Sequence, residues 1–314
     1  MNVQSLKKNK TLRIVKLLYV PAVFVCIVFF AWSNREILAK MLVIADIRAI
    51  VTAVILWTSL HLLAPLSPKI IFSGFNIPIS YQKLLAIHIS RLPARYLPGG
   101  IWHTVGRMAD YHSYGVSRKQ LTILMLIETF FPCLITLSLG GGYLYFVGNN
   151  DHLFVAEGVF AGVSLISLLV IPVLVKLQRS TWLYIKFANF YILLISLSVI
   201  FWVVAAVSFL FYYSSVLSVA SSAELVKIAA SYIFSWGIGY ISIFAPQGIG
   251  VLEVVAGKLM ELPMDFGSGI AFLAGFRLIA LAADVLASLA YYIHMVVKQT
   301  FFESQEDKGP GSGK

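Results

Sequence analysis

Charged residues are scarce in this sequence. Only 12% of its 314 residues are Asp, Glu, Lys or Arg, whereas 59% are hydrophobic. A soluble domain carries about 25% charged residues, and a soluble globule of this size still needs a polar surface. The composition therefore excludes an ordinary soluble enzyme domain and predicts that apolar surface faces lipid. At about 20 residues per spanning helix, the length allows about six to eight membrane segments with their loops.

Cysteine and the common catalytic motifs are also sparse or missing. The two cysteines, Cys26 and Cys133, lie in apolar runs, which excludes a disulfide framework and a cysteine-based zinc site. The six histidines show no metal-binding spacing, and no Walker loop, G-x-S-x-G elbow or dinucleotide fingerprint is present. Most of the histidines are interpreted as loop or interface residues. We predict no metal and no cofactor, and favour a transporter over an enzyme.

Six apolar runs are long enough to cross a bilayer and predict an all-α polytopic membrane protein. They are Ile14–Trp32, Met41–Ala64, Leu121–Val147, Leu153–Val175, Tyr191–Tyr213 and Ile270–Val297. Two further segments, 65–119 and 223–262, are apolar but interrupted by Pro and Gly, which predicts re-entrant or broken helices. Residues 1–300 are predicted to form one transmembrane domain, and 301–314 a disordered tail.

The two interrupted segments break in the same way. Pro98 and Pro246 are each followed by glycines and lie 148 residues apart. Superposing the segments gives repeat units of about 80–148 and 228–297, each with a helix, a break, a half-helix and a full span. Three predicted spans separate the starts of the units, so the units would enter from opposite sides. Such an inverted repeat points to a transport site near the midplane; coincidence is the alternative, since Pro-Gly pairs are common in turns.

The positive charges support a definite orientation. If both broken segments are re-entrant, 18 of the 24 Lys and Arg residues fall on the side of the N-terminus, and five on the other side. Positive charge collects in cytoplasmic loops, so both termini are predicted to be cytoplasmic. We interpret the net charge of +10 as attraction to a membrane surface, and expect no nucleic-acid partner.

Charged residues inside the predicted spans are candidates for function, because such residues are costly in a membrane. Arg277 and Asp284 share one side of the last span, being two helical turns apart. With the 148-residue shift, Glu128 falls near Arg277, and Arg107 near Glu253. One hypothesis is that Arg107 and Glu128 face Arg277 and Glu253 across a central cavity. The alternative is a pair of structural ion pairs that lock the halves together.

The first break gathers further basic residues, namely Arg91, Arg95, His103 and Arg107. The half-helix that follows presents free N–H groups and a positive dipole end, and guanidinium groups bind phosphate in a bidentate manner. This pattern predicts a phosphate site; interface anchors are the alternative, above all for Arg91. The predicted lipid- or substrate-binding set also includes the break residues Pro98, Gly99, Gly100, Pro246, Gly248 and Gly250.

Both breaks also carry signatures of a known family. The run from Arg95 to Trp102, the pair Gly106-Arg107 and the run from Pro246 to Glu253 carry the resemblance, with Arg277 in the following span. These residues resemble the transmembrane flippase region of the lysylphosphatidylglycerol synthase/flippase family. Gln247 stands where that family has glycine, and we expect a stand-alone member without the aminoacyltransferase domain.

The resemblance implies lipid translocation, with two re-entrant segments meeting in the bilayer of a bacterial inner membrane. We expect a flippase or transporter for an anionic phospholipid or a lipid-linked glycan intermediate, with that lipid as its partner. The alternatives are a membrane transferase acting on a lipid phosphate, with Glu128 or Asp284 as base, and a non-catalytic envelope-assembly protein. Gly158 and Gly162 form a G-x-x-x-G, typical of close helix packing and less often of a homodimer.

Overall fold

The protein is an all-α polytopic membrane protein. The computed structural model describes residues 35, 39, 43–96, 102–147, 154–178, 181–218, 221–242, 248 and 250–306. Its helices are α1 (Ile47–Leu63), α2 (Leu66–Gly74), α3 (Tyr81–Arg91), α4 (Trp102–Ser113), α5 (Arg118–Thr136), α6 (Gly142–Val147), α7 (Phe154–Gln178), α8 (Thr181–Val216), α9 (Ser222–Ile241), α10 (Val251–Met260) and α11 (Phe266–Glu306). A 3-10 turn at Leu92–Tyr96 follows α3, and a π-helical segment at Leu137–Gly141 joins α5 to α6.

Five stretches within the described ranges are long and apolar enough to cross a membrane. They are Ile47–Gly74, Arg118–Val147, Val155–Val173, Ala188–Val216 and Phe266–Val297. They confirm five of the six predicted spans, and the sixth, Ile14–Trp32, lies outside the described residues. The second predicted span ended at Ala64, but helix resumes at once in α2. Pro65 occupies the N-cap of α2, where its missing N–H removes no helical hydrogen bond.

The outer surface is apolar, as lipid contact requires. On α7, Val155, Val159, Val163, Ile166 and Leu169 are all more than half exposed. They recur every three or four residues, so they form a stripe along one side of the helix. A stripe of this kind would be unfavourable in water but is suited to acyl chains.

Aromatic side chains fill the interior where α1, α8, α9 and α11 meet. The Phe209 and Tyr232 rings stack with centroids 4.2 Å apart, and Phe276 packs edge-on against Phe209 at 5.2 Å and against Trp57 at 5.2 Å. The Ser208 hydroxyl donates to the Ala53 carbonyl at 2.8 Å, joining α8 to α1. Close packing and interhelical hydrogen bonds of this sort hold membrane helices together, because lipid supplies no hydrophobic force between them.

Two helix starts recur at or within one residue of the predicted 148-residue shift, whereas the starts of α3 and α9 lie 141 residues apart. α5 begins at Arg118 and α11 at Phe266, 148 residues later, while α4 and α10 begin at Trp102 and Val251. In each predicted unit the described residues form a helix, a shorter helix and a long span, in that order. Pro98, Gly99, Gly100 and Pro246 lie outside the described residues, so this agreement concerns the flanking helices.

Two glycines of the second break are described. Gly248 and Gly250 have φ angles of +67° and +85°, which are strained for residues with a Cβ. A Cβ on Gly248 would lie 2.8 Å from the Gly239 Cα, so the break also passes close to the backbone of α9. Gly250 has open space around it.

Two further predictions can be compared with the helices. Gly158 packs closely on another residue, since a Cβ there would lie 2.6 Å from the Tyr145 ring, whereas Gly162 has no such neighbour. Close packing is therefore confirmed for Gly158, and a homodimer stays a prediction. α11 continues to Glu306, which corrects the predicted start of a disordered tail at 301. The reason is that no proline or glycine interrupts the sequence between Gly275 and Gly309.

Candidate functional site

A cavity of about 190 Å³, with polar groups set in a mainly apolar wall, lies between helices of both repeat units. Its polar lining consists of Ser67, His88, Arg95, His103, Arg107, Glu128, Ser198 and Tyr240, and its apolar lining includes Leu63, Phe131, Leu194, Phe201 and Trp202. Of the predicted binding residues, the cavity brings together Arg95, His103, Arg107 and Glu128. Arg91, Glu253, Arg277 and Asp284 do not line it.

Arg107 is fixed at the cavity wall by two neighbours. Its Nη2 donates to the Glu128 carboxylate at 2.9 Å, which links α4 to α5. Its Nε and Nη2 also contact the Tyr111 hydroxyl at 3.3 and 3.1 Å. Arg107 and Tyr111 are four residues apart on one helix, and such residues share a face. The guanidinium is therefore buried with its charge compensated.

Glu253 performs a similar structural task in the second unit. One carboxylate oxygen accepts from the Gly250 N–H at 2.7 Å, which ties it to the start of α10. The other accepts from Arg277 Nε at 2.6 Å, which ties α10 to α11. A carboxylate at a helix N-terminus is also favoured by the helix dipole. Glu253 is only 2% exposed, so both interactions replace lost solvation.

These contacts correct the predicted arrangement of the four charges. Arg107 pairs with Glu128, and Arg277 with Glu253; each base is bound by the acid of its own unit. The physical reason is that each half-helix packs beside the span that follows it, so side chains 21 and 24 residues apart meet. Only the first pair lines the cavity.

Arg91 has a different partner from the one predicted for it. Its Nε and Nη2 both donate to the Asp110 carboxylate at 2.6 Å, a bidentate pair between α3 and α4. Gly106 makes room for this side chain, since a Cβ there would lie 2.9 Å from Arg91 Cδ. The geometry supports an anchoring role for Arg91.

Asp284 is the meeting point of three elements. Its carboxylate accepts from the Tyr96 hydroxyl at 2.9 Å, and lies 2.9 Å from His61 Nε2 and 3.3 Å from Arg95 Nη1. α11, α1 and the 3-10 turn are joined in this way. The aspartate is 3% exposed, so the Tyr96 hydrogen bond and the neighbouring Arg95 charge replace part of its lost solvation.

The histidines around Asp284 were missed by the sequence interpretation, which assigned most histidines to loops or interfaces. His61 and His88 are buried, with His61 Nδ1 and His88 Nε2 3.2 Å apart. The His88 and His103 rings follow, with centroids 5.8 Å apart. One signal was available: His61 lies within an apolar run, and an ionisable residue within a span is a functional candidate by default.

The histidines are arranged in a line and not around one point. Within the described ranges, no group of three His, Cys, Asp or Glu side chains is placed to hold a metal ion. Among the described residues, three ring nitrogens in this line are buried without a hydrogen-bond partner, namely His61 Nε2, His88 Nδ1 and His103 Nε2. Buried polar atoms without partners are rare and call for a physical explanation.

A function for this protein has to be inferred from its own residues, because comparisons with known proteins identified no relative. No protein-family model, no curated protein and no solved structure matches this chain.

Proposed function

We propose that the protein is a flippase or transporter for an anionic phospholipid or lipid-linked intermediate, and that the head group enters the cavity. The observation that carries the proposal is that Arg95 and Arg107 line a cavity inside a bundle with an apolar outer surface. A lipid head group is polar while its tails are apolar. A polar interior beside a lipid-facing exterior suits both parts of one molecule.

The chemistry of the lining favours an anion. Arginine has five N–H donors in a fork that matches phosphate. Among the described residues, Arg107 contacts Glu128 and Tyr111 through Nε and Nη2, and these contacts do not use Nη1. Arg95 lies 3.3 to 3.4 Å from Asp284, and its side chain also lines the cavity. A phosphate could therefore draw on both arginines.

The size of the cavity favours a head group over a whole lipid. At about 190 Å³ it is smaller than the roughly 300–1,000 Å³ typical of pockets that enclose drug-sized ligands. The acyl chains would therefore stay in the bilayer. In the sequence, a proline-glycine break precedes α4, the helix that carries Arg107. Broken helices of this kind mark substrate sites in transporters with inverted repeats.

Reconstituted vesicles provide the test. Purified protein is placed in vesicles with a fluorescent phosphatidylglycerol or phosphatidylcholine, and the lipid exposed outside is quenched over time. We expect faster loss of the anionic lipid than in protein-free vesicles, and slower loss with Arg107→Gln by about tenfold or more, since a charged hydrogen bond contributes about 1.5–3 kcal/mol. Arg118→Gln, at an exposed arginine that begins α5, is the control. Equal rates for protein-containing and empty vesicles would contradict the proposal.

A membrane transferase acting on a lipid phosphate is the second candidate. It is favoured by the 2.9 Å contact between Asp284 and His61, because a carboxylate beside an imidazole is an arrangement used for general base catalysis. Mass spectrometry of the vesicle lipids separates the two, since only a transferase makes a new lipid. A non-catalytic assembly protein predicts that the Arg107 variant changes stability alone.

We further propose that the membrane is a bacterial inner membrane, with both termini in the cytoplasm. The support is the concentration of Lys and Arg on one side of the predicted topology. The resemblance of the two breaks to the lysylphosphatidylglycerol synthase/flippase family supports the same setting.

A further inference from the structure

We infer that Asp284, His61, His88 and His103 form a proton path to the cavity, and that the protein moves protons together with its anionic substrate. The coupling part of this inference rests on the proposed function; the proton path itself does not. It assigns a role to the three histidines, which the lipid site alone does not explain.

The first part of the path lies inside the bundle. Asp284 Oδ1 and His61 Nε2 are 2.9 Å apart, and on the other side of the same ring His61 Nδ1 lies 3.2 Å from His88 Nε2. Both gaps are within hydrogen-bond distance, although the His61 ring must turn slightly before its Nε2 is aligned with Asp284 for a hydrogen bond. His61 and His88 are 4% and 3% exposed, so these transfers are shielded from bulk water.

The second part leads to the cavity. His88 and His103 both line it, and their rings meet edge to face. Each of these two residues has a ring nitrogen without a hydrogen-bond partner among the described residues, His88 Nδ1 and His103 Nε2. Each is a polar atom that a water molecule or a phosphate oxygen in the cavity could satisfy. An unmet hydrogen-bonding group at this place indicates that the path ends in the cavity.

Imidazole is suited to passing a proton along such a line. A ring that accepts a proton on one nitrogen can release another from the opposite nitrogen, so that the proton advances while the ring ends neutral in its other tautomer. Asp284 can hold a proton at one end. The side chains are restored when the rings return to their first tautomers, and the only net change is the position of one proton.

The surrounding charges provide a reason for coupling. Arg95 and Tyr96 of the 3-10 turn face Asp284. Arg95 and Arg107 line the cavity together with His88 and His103. The other titratable side chains of the cavity wall are Glu128 of α5 and Tyr240 of α9. Positive arginines repel a proton arriving on these histidines. An anionic head group between the arginines offsets that repulsion, so substrate and proton favour each other's entry.

The experiment measures protons and lipid in the same vesicles. Wild-type protein is reconstituted with phosphatidylglycerol, a fluorescent phosphatidylglycerol tracer and an enclosed pH dye, and a pH difference is imposed across the membrane. We expect that tracer translocation speeds up in one direction of the pH difference and that the dye records protons moving with it. His61→Gln and Asp284→Asn should lose the response to pH difference and the proton movement.

The controls separate a failed path from a failed fold or a failed substrate. His294→Gln changes an exposed histidine on the same helix as Asp284 and should behave as wild type. His88→Gln provides a second interruption, and only variants that elute as wild type on size exclusion are compared. Tracer translocation by wild type without proton movement or pH response overturns the inference and leaves the proposed function standing.

The opposite failure is also readable. If wild type translocates no tracer, the proposed function fails, and the dye alone then tests the path. Proton movement that exceeds protein-free vesicles and is lost in His61→Gln would support the path without the lipid. Proton movement equal in wild type, His61→Gln and protein-free vesicles overturns it.

Discussion

At the scale of single residues, the buried charges of Arg107, Glu253 and Asp284 each lie beside an opposite charge. Arg277 and Glu253 illustrate this, since their 2.6 Å contact is shared with a backbone N–H at the start of α10. A buried ion pair adds little net stability compared with apolar side chains, but removal of one partner leaves an isolated charge. Each charge of the pair is therefore needed mainly because the other charge is present.

The Arg277–Glu253 pair gives a stability prediction. We expect Glu253→Ala to lower the free energy of unfolding by about 1–3 kcal/mol, because Arg277, whose side chain is 24% exposed, then loses its counter-charge and hydrogen bond. The double variant Glu253→Ala, Arg277→Met should recover part of this loss. Thermal unfolding in detergent, followed by the remaining monodisperse fraction, measures both. A double variant less stable than the single one would contradict this account.

The glycines of the second break give a second prediction about stability. We expect Gly248→Ala to lower the midpoint of unfolding more than Gly250→Ala does. Both positions have positive φ, which costs about 1–2 kcal/mol for a residue with a Cβ, but only the Cβ at Gly248 would meet backbone, 2.8 Å away at Gly239. Equal losses would show that the close approach of the break to α9 is not needed.

At the scale of elements, short irregular segments decide how the helices meet. The π-helical segment Leu137–Gly141 places glycine against α9, and a Cβ on Gly140 would lie 2.6 Å from both the Ala230 oxygen and the Phe234 nitrogen. Small residues allow such close backbone approach in membranes. The irregular segment therefore controls contact between α5 and the first helix of the second repeat unit.

A matched pair of substitutions tests this contact. Gly140→Val should prevent α9 from packing at its present distance, because backbone atoms cannot move aside as side chains do, and should reduce the folded yield severely. Gly142→Val, with open space around the Cβ position, should retain a yield close to wild type. Size exclusion of both variants from the same membranes compares them. Similar yields would contradict the close approach.

At the scale of the whole molecule, the two repeat units carry matching helices and opposite charge order. The half-helix supplies the base in the first unit and the acid in the second, and the following span supplies the counter-charge. This exchange keeps each unit neutral at its own ion pair while leaving Arg95 and Arg107 at the cavity. The opposite orientation of the units remains a prediction from the count of spans.

Labelling from one side of the membrane tests that orientation. In a variant without Cys26 and Cys133, cysteines are introduced at the exposed positions Ser113, after the first half-helix, and Pro263, after the second. We expect an impermeant maleimide added outside intact cells to label position 263 and not 113, with both labelled after lysis. Labelling of both or neither in intact cells would reject the inverted repeat in this form.

The sequence by itself determined the class of protein and five spans within the described residues, while the two broken segments and the repeat stay predictions. These properties are local: hydropathy and the positions of proline and glycine depend on neighbours along the chain. It also identified Arg107, Glu128, Glu253, Arg277 and Asp284 as inward-facing charges, because a charge in an apolar run must find a polar surrounding.

Only the tertiary structure decided which of these charges meet and which line the cavity. The contacts of Asp284 with Arg95 and Tyr96 span 189 and 188 residues, and that of His61 with His88 spans 27. No periodicity in the sequence encodes such pairs, since they depend on the rotation and depth at which separate helices pack. For the same reason the proximity of the three histidines to one another and to Asp284 could not be predicted from the sequence. It depends on how α1, α3, α4 and α11 pack.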